Sequence, residues 1–166
     1  MSTTLRSKIL KNLGLMGLIL MTTYAYGDNY AYKPSGKAAE HILKKGQQWQ
    51  TDEVLRLSMD NIRQAMATSQ DDIVKERLGA QDYQRLAKLI DKNLNHIANN
   101  SKLNQDANKA FHVIVTADLM SSSEIMRASP NLQAQRVGAL GALQTLRNYG
   151  KYFQHPGWSI NVKSVR

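Results

Sequence analysis

The side chains in this 166-residue sequence with the greatest capacity for chemistry are His96, His112 and His155, the thioether of Met59 and the carboxylate of Asp52. Imidazole, thioether and carboxylate are transition-metal and haem ligands, so their spacing decides what they can do. A helical di-iron site needs Glu-x-x-His on two helices, and that pattern does not occur. Ser, His and Asp are all present, but no nucleophile elbow accompanies them. No glycine-rich loop exists to cradle a phosphate; Gly138, Gly141 and Gly150 fall inside a helical pattern and are expected to let helices pack closely. The chain has no cysteine. That rules out haem attached through Cys-x-x-Cys-His, disulfide staples and a thiol-linked lipid anchor. With no catalytic constellation left, the chain is expected not to be an enzyme.

The elements that must position these residues are helices. After a cap at Thr51 or Asp52, Leu55, Met59, Ile62 and Met66 recur by fours and threes and make a narrow apolar stripe. A short turn is expected over 71–78, ending at Gly79. A second helix over 80–98 carries Tyr83, Leu86, Ile90, Leu94 and Ile97. Asn99, Asn100 and Ser101 break the pattern and can end one helix and begin the next. A third helix over 105–127 places Ala107, Phe111, Ile114 and Ile125 on one face, widened by Ala110, Ala117 and Met120. Ser129 and Pro130 read as a cap with proline at the first helical position. The fourth helix then runs to about Gln154, burying Leu132, Ala139, Leu143, Leu146 and Phe153, and His155-Pro156-Gly157 stops it. No stretch alternates with period two. The expected fold is all-α, an antiparallel up-and-down four-helix bundle over 49–166 with a short C-terminal tail.

On that frame the candidate ligands separate. A noncovalent haem bundle would hold its iron between Met on the first helix and His on the last. Met59 is central in its stripe, but the inner face of the last helix reads as Arg147, Gly150 and Gln154. His155 lies roughly 120° from the stripe centre. Met59 therefore reads as core, with haem as the alternative. His112 lies roughly 140° from the apolar centre of its helix. Asp118 falls near that centre and needs a partner there, for which Arg136 or Arg147 is available. The more pointed geometry is at one end. In an up-and-down order, Trp49, Asp52, His96, Asn100, Ser101, Lys102, His155 and Trp158 gather at a single pole. Two readings of it stand: an aromatic cap that closes the core, or a pocket in which His96, His155 and Asp52 hold a metal.

The first residues are read separately. Arg6, Lys8 and Lys11 precede an apolar run from Leu13 to Met21, and Ala25 and Gly27 stand where a cleavage site needs small residues. That order is a secretory signal over 1–27, with a mature start at Asp28 and no membrane span after processing. Residues 28–48, with Pro34-Ser35-Gly36, read as a loosely ordered arm. The formal charge is +9, three of these positive charges lie in the leader, and the remainder is scattered. Dispersed basic residues without a recognition module do not point to nucleic acid.

Gly46-Gln47-Gln48-Trp49-Gln50-Thr51-Asp52, Leu55-Arg56, Met59 and Ile62-Arg63 resemble the opening of a group of uncharacterised small exported proteobacterial proteins. So do Asn100-Ser101-Lys102-Leu103 with Ala107 and His112, and the ending Tyr152-Phe153-Gln154-His155-Pro156-Gly157-Trp158. The resemblance covers about residues 43 to 160. It implies export and a bundle like those of the c-prime and b-type cytochromes. In that group a Cys often stands where this chain has Ser101, so any thiol chemistry there is lost here. The expectation is a periplasmic or secreted binding or accessory protein for a small ligand or a protein partner. The alternative is a bundle binding a transition metal or noncovalent haem through Met59, His96, His112 or His155.

Overall fold

The computed structural model describes residues 48–160. The expected leader (1–27), nearly all of the arm and the end of the tail lie outside the described residues. Within them the structure is all-helical, with four helices and no β-strand. These are α1 (Glu53–Val74), α2 (Ala80–Asn100), α3 and α4 (Leu132–Tyr152). Helix α3 comprises the α-helical stretches Gln105–Phe111 and Ala117–Ala128, with a π-helical turn, His112–Thr116, between them. None of the described helices is long and apolar enough to cross a membrane.

The caps follow from residue type. Asp52, Asn104 and Asn131 each accept a hydrogen bond from the backbone N–H three residues on, which satisfies one of the donors a helix start leaves open. Asp82 reaches back to the Gly79 N–H to close the start of α2. The stripes expected of α1 and α2 are buried in full, and all four helices contribute to one core. Helix α1 packs on α2 and α4, and α3 packs on the same two helices. At Gly138 a methyl group would meet the Ser122 carbonyl at 2.8 Å, so α3 and α4 approach closely because that side chain is missing.

Several expectations are corrected. Helix α1 continues through Asp71 to Val74 instead of ending in a turn there. Helix α4 starts after Asn131, not Ser129, because the Asn131 side chain makes the capping bond. Leu132 then sits in the first turn on the solvent side, 48% exposed. In α3 the core face drifts: Asp118 is buried as expected, but Ala117 and Met120 are exposed, while Leu119, Ser122, Ser123 and Met126 are buried. The π turn accounts for this, since its wider i→i+5 winding rotates everything after it by about one residue.

The inner face of α4 also differs. Tyr149 and Tyr152 are buried, while Arg147 and Gln154 are exposed. Arg136 is found at the far end of α1, where it donates to the Ile73 and Val74 carbonyls at 2.9 and 3.1 Å and pairs with Glu76. Those carbonyls are the acceptors a helix end leaves open, and a cation is favoured beside them.

Candidate functional site

The start of α1, the α2–α3 turn and the finish of α4 are tied together by polar contacts between residues far apart in sequence. Asp52 is the centre of one knot. Its Oδ1 accepts from the Leu55 N–H at 2.7 Å, and its Oδ2 accepts from the Ser101 hydroxyl at 2.7 Å and the Lys102 N–H at 2.5 Å. Burial works to raise the Asp52 carboxyl, but those three bonds and the nearby Arg56 charge outweigh it and hold the group below the ordinary carboxylate range. One carboxylate thus caps α1 and fastens it to the α2–α3 turn.

The two ends of the described segment form a second knot. The Trp49 N–H donates to the Tyr152 carbonyl and the Gln154 N–H to the Trp49 carbonyl, both at 2.8 Å. Thr51 donates its hydroxyl to the Gln154 carbonyl. Past α4, Gly157 adopts φ +76, a conformation glycine reaches without strain, and the turn brings the Trp158 N–H to the His155 carbonyl at 3.1 Å. The Trp158 indole then lies 4.6 Å from the Tyr149 ring and 4.9 Å from the His155 ring, with the Arg63 guanidinium 5.5 Å from its centroid. It fills the space above Gly150, where any Cβ would collide with it.

His155 sits between two partners. Its Nε2 is 3.2 Å from Asp60 Oδ2 and its Nδ1 is 3.0 Å from the Tyr149 hydroxyl. Burial lowers the imidazole's pKa, the Asp60 charge and hydrogen bond oppose it, and Arg56 and Arg63 add to the lowering. A neutral ring follows: Nε2–H donates to Asp60 and Nδ1 accepts from Tyr149. Burial first, and then the Asp60 charge, raise the Tyr149 phenol well above its ordinary value, so it stays a donor. Tyr149 is fully buried and the His155 side chain is 4% exposed. The Tyr149–His155–Asp60 chain has the residue types of a proton relay; its phenol and imidazole are buried and bonded to each other, and its Asp60 carboxylate, 41% exposed, is at the surface. Its chemistry is that of a clasp.

The sequence-derived candidates thus divide. Trp49, Asp52, Ser101, Lys102, His155 and Trp158 stand at this pole. His155 and Asp52 belong to separate knots, and His96 belongs to neither. The His96 side chain is exposed on α2 beside Asn100, whose amide donates to the His96 carbonyl at 2.9 Å and lies 3.1 Å from its Nδ1. Among the described residues no three His, Asp or Glu side chains are grouped so that they could hold a metal ion. Haem fits no better. Met59 is wholly buried in packed core, both nitrogens of His155 are engaged, and His112 is exposed on another helix.

What the spacing of apolar residues did not reveal is a groove along the seam of α1 and α2. Its end nearest the pole encloses about 430 Å³ and is lined by Asn61, Asn93, Asn95, Asn99 and Asn100 with Lys92 and His96. It continues along α1 past Asn61 toward Gln64. No carboxylate lines either part. The floor is fixed: Asn61 donates to Asn93 Oδ1 at 3.2 Å and Asn93 donates to the Leu89 carbonyl at 2.9 Å. The walls are not: Lys92, Asn95 and Asn99 make no side-chain hydrogen bond or ion pair to any described residue. A carboxamide offers a donor pair and an acceptor on one group. The two unengaged amides, Asn95 and Asn99, therefore match a ligand dense in hydroxyls, each able to give and take a hydrogen bond.

No family model matches the chain, and no curated protein and no solved structure matches it.

Proposed function

We propose that the chain is an exported, non-catalytic helical binding or accessory protein that recognises a small hydroxyl-rich ligand in the α1–α2 groove. The observation that carries this reading is the groove's lining: five asparagines, one lysine and one histidine without an acid. The bonding of the Tyr149–His155–Asp60 chain supports the non-catalytic part, because the Tyr149 hydroxyl and both imidazole nitrogens are already engaged within the chain. Export is supported by the order of basic, apolar and small residues ahead of Asp28. The up-and-down bundle is supported by contacts at both ends: Asp52 to Ser101 and Thr51 to Gln154 at one, Arg136 to Glu76 at the other.

The test is a titration of the folded protein with glucose, maltose and N-acetylglucosamine, followed by backbone amide NMR. The expected result is saturable shifts confined to residues 61–65 and 89–100 with at least one sugar, weakened by Asn99→Ala or Asn95→Ala. Surface substitutions of this kind should change stability by no more than about 0.5 kcal/mol. Shifts centred on 149–158, or none with any of the three, would overturn the assignment of the groove. Mass spectrometry of exported protein should find a chain beginning at or near Asp28; an intact leader in a membrane fraction would contradict export.

A further inference from the structure

Helix α2 has a second flank, facing α3, and there His112 and Thr116 of the π-helical turn line a cleft of about 480 Å³. π turns are costly interruptions that recur at functional sites. This one is bounded by a doubled contact, with the His112 N–H shared between the Asn108 and Lys109 carbonyls, and by the Ala117 N–H reaching back five residues to the His112 carbonyl. The floor of the cleft is apolar, made by the buried Leu94, Ile97 and Phe111. Its rim carries Lys109 and His112, both exposed, with Thr116 beside them. No carboxylate lines it. Lys109 and His112 are three residues apart and share one face of the helix.

The geometry points to a second binding site, for a small amphiphilic carboxylate whose apolar body lies on Leu94, Ile97 and Phe111 and whose anion is held by Lys109 and His112. The volume is in the ordinary range for small-molecule sites, roughly 300–1,000 Å³, and an apolar floor with a few converging polar groups is the usual composition. Charge selects the anion: two basic side chains with no acid between them favour a carboxylate over an ammonium or a neutral head. The site is separate from the α1–α2 groove and does not depend on what binds there.

Decanoate, decanol and decyltrimethylammonium, each kept below its micelle-forming concentration, separate the contributions. Amide NMR of the whole chain should show decanoate shifting residues 94–98 and 105–117 while leaving 61–65 unmoved. Decanol should bind the same residues about tenfold more weakly, the loss expected from one charge-assisted hydrogen bond. Lys109→Gln should shrink that difference, with the melting temperature unchanged. Decanoate and decanol binding equally to the native protein, the ammonium binding best, or shifts absent from the cleft would each overturn the proposal.

Discussion

The pole of the molecule and the groove beside it are both rich in polar side chains, and they do opposite things with them. At the pole, Ser101 bonds to Asp52, and Tyr149 to His155 and His155 to Asp60, across 6 to 95 residues of sequence. The indole and phenol rings close over them. In the groove, the side chains of Lys92, Asn95 and Asn99 are exposed and bond to nothing else described. The Asn100 amide turns back on its own helix. The pole spends its polar groups on holding the ends of three helices together, whereas the groove keeps them in reserve. The capacity of a side chain for chemistry therefore says little until its hydrogen-bonding partners are known.

Substitutions can sharpen that contrast. The largest loss should come from the core under both regions: Met59→Ala should cost about 2–5 kcal/mol in chemical denaturation, the range for emptying a buried Met site. A Met59→Ala protein with unaltered unfolding would mean that α1 is not packed as described. Gly150→Ala should follow at about 1–3 kcal/mol, because the new methyl displaces the Trp158 ring. Alanine's better helix propensity returns only about 1 kcal/mol of that. Its near-ultraviolet circular dichroism should weaken as the indole leaves Tyr149, and an unchanged spectrum would mean that the clasp is not seated on α4. Asp52→Ala removes a cap and two cross-links and should cost about 1–2 kcal/mol, measured by urea unfolding; a neutral result would free Asp52 for another role.

The smallest effect is a pH dependence. His155 has a folded pKa below its ordinary value, so the unfolded chain takes up the proton first. The stability it contributes is complete above about pH 6.5 and is lost as the pH falls through the depressed folded value. The charges facing the ring are Asp60, which opposes this, and Arg56 and Arg63, which reinforce it. Asp52, also depressed, adds a second loss below pH 4 or so by the same linkage. Melting temperatures between pH 7.5 and 5 should fall, and the fall should shrink in His155→Ala.

The fold was legible where periodicity is unbroken. Every stripe residue expected of α1 and α2 is buried, and Asp52 caps α1 as its type and place suggested. Legibility failed past the π turn: Asp118 is buried as its place on the stripe suggested, but Ala117 and Met120, expected to widen that face, are exposed and Leu119 is buried instead. It failed again in α4. Taking Arg147 and Gln154 as the inner face hid Tyr149, the residue that organises the clasp. Counting helices and their short connections put His96 beside Asp52 and His155, but His96 joins neither knot, and the bond from His155 to Asp60 was not readable. The groove left one signal in the sequence, the density of asparagine from Asn93 to Asn100 around His96. Exposed amides off an apolar stripe otherwise read as ordinary solvated surface.

The most direct test of a structural pole is the thermal melting of His155→Ala at pH 7.5 against the native protein. Removing the imidazole leaves the buried Tyr149 hydroxyl without its acceptor, a loss of about 1–3 kcal/mol. For a domain of this size that lowers Tm by at least about 4 °C. A drop of that order, with the groove's amide spectrum intact, is the predicted result. A His155→Ala protein that melts at the native temperature but no longer binds a ligand would contradict it, and would make the pole, not the groove, the site.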